Sequence, residues 1–281
     1  MLEQSTSTID EIERSTFMVD RRARSIEGRP LHPISPTLAI LGAVIGVAWI
    51  IAIWAEMSGA AAQVHHHALY ESGRPFWLAA LILIGAWQVM TAAMMLPSSF
   101  GFMKMYAAAA AGAPGFGRAL GALLLGYFGI WSLFALAAFA GDMQLHRLVD
   151  SWPWLEAHAQ VIPAGTLAFA AIYQFTPLKD ACLKACRHPG AYLMRHYKRG
   201  TLNSFRIGLG HAAFCVGCCW ALMLVMFAAG VAHLAWMGAL GAIMLVEKGV
   251  RDGNRIVAPV GVALAVLAAI ALFAPGAVPG I

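Results

Sequence analysis

The chain has 281 residues, of which 60% are hydrophobic and 12% charged, with a mean hydropathy of +0.70. Soluble globular domains run at roughly 45–50% apolar and 25% charged, so this composition excludes a soluble enzyme or carrier and points to an integral membrane protein in contact with the lipid bilayer. The net charge of +5 does not argue for a nucleic-acid partner, because the basic residues sort to one side of the hydrophobic segments, the pattern of the positive-inside rule.

Residues 1–35 are polar, with Arg14, Arg21, Arg22, Arg24 and Arg29 among several carboxylates. No hydrophobic core followed by a small-residue cleavage site is present, so the segment reads as a cytoplasmic tail rather than a signal peptide. Residues 36–281 read as the transmembrane domain. The first span is placed at Pro36 to Met57, long enough for a hydrocarbon core that needs roughly 20 apolar residues. Ser58 to Pro75 follows as an outer loop with His65, His66 and His67. These can supply imidazole ligands, although neighbouring loop side chains do not readily converge on one ion.

Span two, Phe76 to Leu96, is expected to stop at Pro97, which lacks a donor N–H. It carries Gln88, Met90, Met94 and Met95; Met90 and Met94 lie one turn apart on one face. Such methionines either ligate a soft metal or fill an irregular interface. Pro97 to Arg118 reads as an inner loop, Ala119 to Gly141 as a third, apolar span, and Asp142 to Pro163 as an outer segment whose Trp152 and Trp154 suit the membrane interface.

Span four begins at Ala164 and is short, with polar Tyr173, Gln174 and Thr176 just before Pro177. A proline-interrupted span points to a functional site, since backbone groups freed at membrane depth need protein, water or an ion. A basic cytoplasmic loop, residues 179–206, carries Cys182 and Cys186 one helical turn apart. Spans five, six and seven are placed at Ile207 to Val231, Ala232 to Lys248 and Ile256 to Ala274. Seven crossings put the amino terminus in the cytoplasm and leave only Arg74 and Arg147 among the lysines and arginines outside. The fold class is all-α, a polytopic membrane helix bundle, placed in a bacterial inner (cytoplasmic) membrane.

Gly208 to Met226, GLGHAAFCVGCCWALMLVM, concentrates soft ligands inside one span. At helical spacing His211, Cys215, Cys219, Met223 and Met226 form one stripe with Cys218 at its edge. At roughly 1.5 Å per residue the cysteines stand about 13–20 Å from Arg206, near mid-membrane. Thiolate and thioether select soft metals, above all Cu(I), while Zn(II) accepts thiolate and imidazole. One helix offers only a stripe, so partners are sought in Met90 and Met94, Tyr173 and Gln174, and Met237, Met244 and Glu247. Glu247 beside Lys248 is either a functional intramembrane acid or half of an interfacial ion pair.

YQFTPLKDACLKACRHP, FCVGCCWALMLVMFAAGV, WMGALGAIMLVEK and WQVMTAAMMLPSS together resemble the family of predicted metal-binding integral membrane proteins labelled domain of unknown function 2182. The resemblance covers roughly Ala79 to Lys248 and implies a helical membrane fold and metal binding. His211 and the His65 to His67 cluster are not part of that pattern.

The candidate metal residues are thus Cys215, Cys218, Cys219, His211, Met223, Met90, Met94, Cys182, Cys186 and Glu247. The first functional reading is a membrane protein that transports or delivers Cu(I), exchanging it with a metal carrier or a membrane complex. Zinc is the second candidate metal. A membrane enzyme is the alternative, either a metal-dependent lipid-modifying enzyme or a thiol oxidoreductase using Cys215 and Cys218 as a C-x-x-C pair. A non-catalytic assembly subunit, with Cys and Met only as packing, is the third. There is no phosphate-binding loop, H-E-x-x-H or G-x-S-x-G motif, which argues against ATP-driven pumping by this chain alone.

Overall fold

The computed structural model describes residues 36–65, 68–69, 72–229, 233–250, 252–274 and 276–278. The expected cytoplasmic tail, His66 and His67, and the expected junction of spans five and six at 230–232 lie outside them. The chain divides into Met1–Ile40 and Leu41–Ile281. Of the first unit only the opening residues of one helix are described; the second holds the bundle.

The helices, in chain order, are α1 (Pro36–Met57), α2 (Ala60–Gln63), α3 (Phe76–Ser98), α4 (Phe100–Ala109), α5 (Phe116–Ser151), α6 (Pro153–Ala157), α7 (Val161–Gln174), α8 (Pro177–Arg187), α9 (Pro189–His196), α10 (Thr201–Ala229), α11 (Leu234–Gly249) and α12 (Val257–Phe273), the last entered through a 3-10 turn at Gly253–Ile256. No strand occurs among the described residues, and the all-α class holds. Among the described residues five helices are long and apolar enough to cross a membrane: α1, α3, α5, α10, and α12 with its 3-10 turn. A sixth crossing arises if α7 and α8, bent by 66° at their junction, form one broken span. The segment expected as a further span is α11, whose 16 residues reach about 24 Å at 1.5 Å per residue, short of a hydrocarbon core of roughly 30 Å.

Three expected boundaries shift. Residues 142–151 continue α5 rather than opening a loop, the inner loop after Pro97 contains α4, and the basic loop at 179–206 is built of α8, α9 and the first turns of α10. Pro97 does not end α3, which runs on to Ser98. A proline inside a helix leaves the carbonyl four residues earlier without its donor. That carbonyl belongs to Ala93, and the indole Nε1 of Trp49 donates to it at 3.1 Å, so the neighbouring helix supplies the missing bond.

α10 lies at the centre. In its most apolar stretch 61% of residues are buried, and 56% in that of α3, against 22% for the span containing α12. Packing of α10 on α5 is made by glycines: a Cβ on Gly208 would fall on the Leu123 carbonyl, and one on Gly126 on the Phe205 carbonyl. Close backbone approach through small residues is the usual means of helix association in lipid, where apolar side chains gain nothing by leaving the tails. α3, α7, α8 and α11 also pack around α10 or each other, which brings their polar and sulfur side chains to its cysteine face.

Candidate metal centre

The junction of α7 and α8 is written locally. α7 stops at Gln174, Thr176 adopts extended backbone and accepts from the Lys179 N–H at 3.3 Å, and Pro177 starts α8 where its missing donor is harmless. Both sides of the bend rest on Gly217 of α10. Tyr173 donates its hydroxyl to the Gly217 carbonyl, and the Cys182 sulfur stands 2.6 Å from where a Cβ on Gly217 would be.

One turn along, Cys186 of α8 faces Cys218 of α10 with the sulfurs 3.8 Å apart. All five cysteines are free thiols. Within the C-x-x-C pair the Cys218 thiol donates to the Cys215 carbonyl at 3.1 Å, and its sulfur lies against that of Cys186.

A second group adjoins it on α10. The Cys219 thiol donates to the Cys215 carbonyl at 2.8 Å and approaches the Met95 sulfur at 3.8 Å. Into this group reaches Lys248 of α11, 7% exposed. Its Nζ stands 3.2 Å from the Cys215 sulfur, 3.6 Å from that of Cys219, 3.8 Å from Met95 Sδ and 3.3 Å from Ser98 Oγ. Tyr127 of α5 places its hydroxyl 3.4 Å from the Cys215 sulfur and 3.2 Å from Ser99 Oγ. A lysine amine and a phenol thus converge on one buried sulfur.

Glu247 does not pair with the adjacent Lys248. Its Oε2 accepts from Lys179 Nζ at 2.8 Å, with both side chains 1% exposed, and Gln174 Nε2 stands 3.5 Å from its Oε1. Neighbouring residues on a helix project about 100° apart, as 3.6 residues per turn requires, so Glu247 turns to α8 and Lys248 to α10. Arg187 closes the end of α11, donating to the carbonyls of Glu247 at 3.0 Å and Val250 at 3.1 Å. Glu247 is therefore half of a buried ion pair, apart from the sulfurs.

The other expected ligands are placed as follows. His211 is buried one turn before Cys215, its ring stacked on Phe102 at 3.7 Å and 7°, and its Nε2 has no hydrogen-bond partner. Met90 is buried beside a cavity of about 270 Å³ that Met237 of α11 also lines. Met94 packs over Gly241 of α11, and Met223 is fully buried. A larger cavity, about 760 Å³, lies further along α10 between Gly141, Thr166, Leu224 and Ala271. Near the start of α10, burial pushes the phenols of Tyr106 and Tyr192 up, so both stay protonated; Tyr106 donates to Ser204 Oγ at 2.6 Å and Tyr192 to the Ile207 carbonyl at 3.4 Å.

Among the described residues no three His, Cys, Asp or Glu side chains are grouped closely enough to hold a metal ion. The arrangement is of sulfur pairs, Cys186 with Cys218 and Cys215 with Cys219, the second completed by the thioether of Met95. Few soft ligands per ion suit Cu(I) better than the four-ligand shell of a structural zinc. Lys248, Tyr127 and Met95 as members of the site are what the residue pattern missed. Met95, beside Met94 in the methionine run, and Lys248, beside Glu247, were named in the sequence but not as partners of the cysteines; Tyr127 carried no signal.

A family model described as PpoB2, copper chaperone, matches residues 84–271, from α3 to the end of α12. No curated protein and no solved structure matches.

Proposed function

The chain belongs to the PpoB2 family of copper chaperones, and on that premise we propose that it takes up Cu(I) between its helices and passes it on within the membrane. The observation that carries this reading is the convergence of Cys215, Cys219 and Met95 on one buried point, with Cys186 and Cys218 forming a second sulfur pair beside it where α8 meets α10. Copper is cargo here. Soft sulfurs bind it, and two adjacent pairs that share α10 allow it to exchange ligands stepwise rather than dissociate into a low-dielectric interior. Cys182 and Cys186, half-exposed on α8, are the side from which a metal carrier would reach the path. In this reading the amino terminus and the basic segments of α8 and α9 face the cytoplasm of a bacterial inner membrane.

The test is copper content. Detergent-purified protein loaded anaerobically with Cu(I) is expected to retain stoichiometric copper, and a Cys215→Ser/Cys218→Ser/Cys219→Ser variant to lose it. Copper retained by that variant, or absent from the native chain, contradicts the reading.

A further inference from the structure

Resting on the copper reading above, we infer that Lys248 is the specificity-determining residue of the Cys215–Cys219–Met95 group, restricting it to monovalent ions by supplying a fixed positive charge.

The groups around Lys248 are few. On its own helix the neighbouring carboxylate, Glu247, is committed to Lys179 at 2.8 Å. From α3 come Met95 and Ser98, both neutral; from α10 come Cys215 and Cys219. Of the described groups within hydrogen-bond reach of this cation, those able to carry negative charge are therefore the two thiols. A buried ammonium without a counter-charge is costly enough that proteins pair or neutralise it.

Metal binding takes the proton from each ligating thiol. Two thiolates, one ammonium and one monovalent ion sum to zero, with Met95 adding a neutral ligand. A divalent ion in the same place leaves one positive charge uncompensated in a medium where unit charges interact many times more strongly than in water. Without the ammonium the order reverses: two thiolates neutralise a divalent ion and leave a monovalent complex anionic. The lysine thus does by charge what the soft sulfurs do by chemistry, and it rejects Zn(II), which thiolates alone would accept.

The experiment loads the full-length, detergent-purified chain with Ag(I), a redox-inert monovalent stand-in, in competition with Zn(II), and counts both metals by mass spectrometry. Native protein and Lys248→Arg are expected to prefer Ag(I). In Lys248→Met the Ag(I):Zn(II) ratio is expected to fall about tenfold, the equivalent of 1.4 kcal/mol; a fall of less than threefold overturns the inference. Should Lys248→Met not accumulate as folded protein, Lys248→Gln carries the same comparison. An arm that keeps the lysine removes one thiolate instead: Cys219→Ser is expected to lose Ag(I), and Lys248→Met/Cys219→Ser, neutral again with a monovalent ion, to regain it. Failure of that rescue also overturns the inference. A native chain that binds neither metal contradicts the copper reading itself, whereas native Ag(I) binding with a charge-insensitive ratio sinks only the role of Lys248.

Discussion

Lys179 and Glu247 meet at 2.8 Å with each side chain 1% exposed, a full ion pair held between α8 and α11. Buried pairs of this kind contribute little net stability over an apolar pair, but removing one partner strands the other and costs roughly 3–5 kcal/mol. Lys179→Met is therefore expected to lower the unfolding midpoint in detergent sharply, and Lys179→Met/Glu247→Leu to recover most of the loss. Equal destabilisation of the single and double variants would mean that the pair is not what joins the helices. The sequence placed Glu247 at the inner end of a span and left open whether it was a functional acid or half of an ion pair. The structure pairs it with Lys179, 68 residues earlier, a relation that adjacency to Lys248 concealed. Lys248 was hidden for the same reason: a lysine at the edge of an apolar run ordinarily snorkels to the interface, and only the packing of α11 on α3 turns it inward to sulfur.

At the scale of elements, the legible parts were those with a local cause. Span one matches α1 residue for residue, and the broken fourth span is the α7–α8 bend, announced by Thr176 and Pro177. Pro97 misled because its local cost is met from outside, by the indole of Trp49. Gly126 and Gly208 carried no signal at all, since a glycine in a helical run says nothing of what approaches it. Yet they set the distance between α5 and α10, and hence the position of Tyr127 against Cys215. Gly208→Leu is expected to drive the two backbones apart, costing at least the 1–3 kcal/mol typical of overpacking and lowering copper retention with it. Thermal unfolding followed alongside copper content checks this; a Gly208→Leu protein of native stability and full copper content would show that the close contact is dispensable.

For the whole molecule, composition alone indicated an apolar helical chain, and among the described residues five helices, or six with the bent pair, have the length and hydropathy to span a bilayer. The expected count of seven relied on α11, an element whose charged end is buried against α3 and α8 and which at 16 residues is shorter than a crossing. The sulfur stripe of α10 was visible from its spacing, and the cysteines at its centre are indeed buried together. Its division into two neighbouring pairs was not, because that depends on which neighbours, α8 or α3 and α11, reach each sulfur. The central claim, copper held by sulfur between the helices, is tested most directly by X-ray absorption at the copper edge of the anaerobically loaded, full-length protein. The account predicts Cu(I) in a low-coordinate shell of sulfur alone, whereas Cu(II), or a first shell dominated by nitrogen and oxygen, would contradict it.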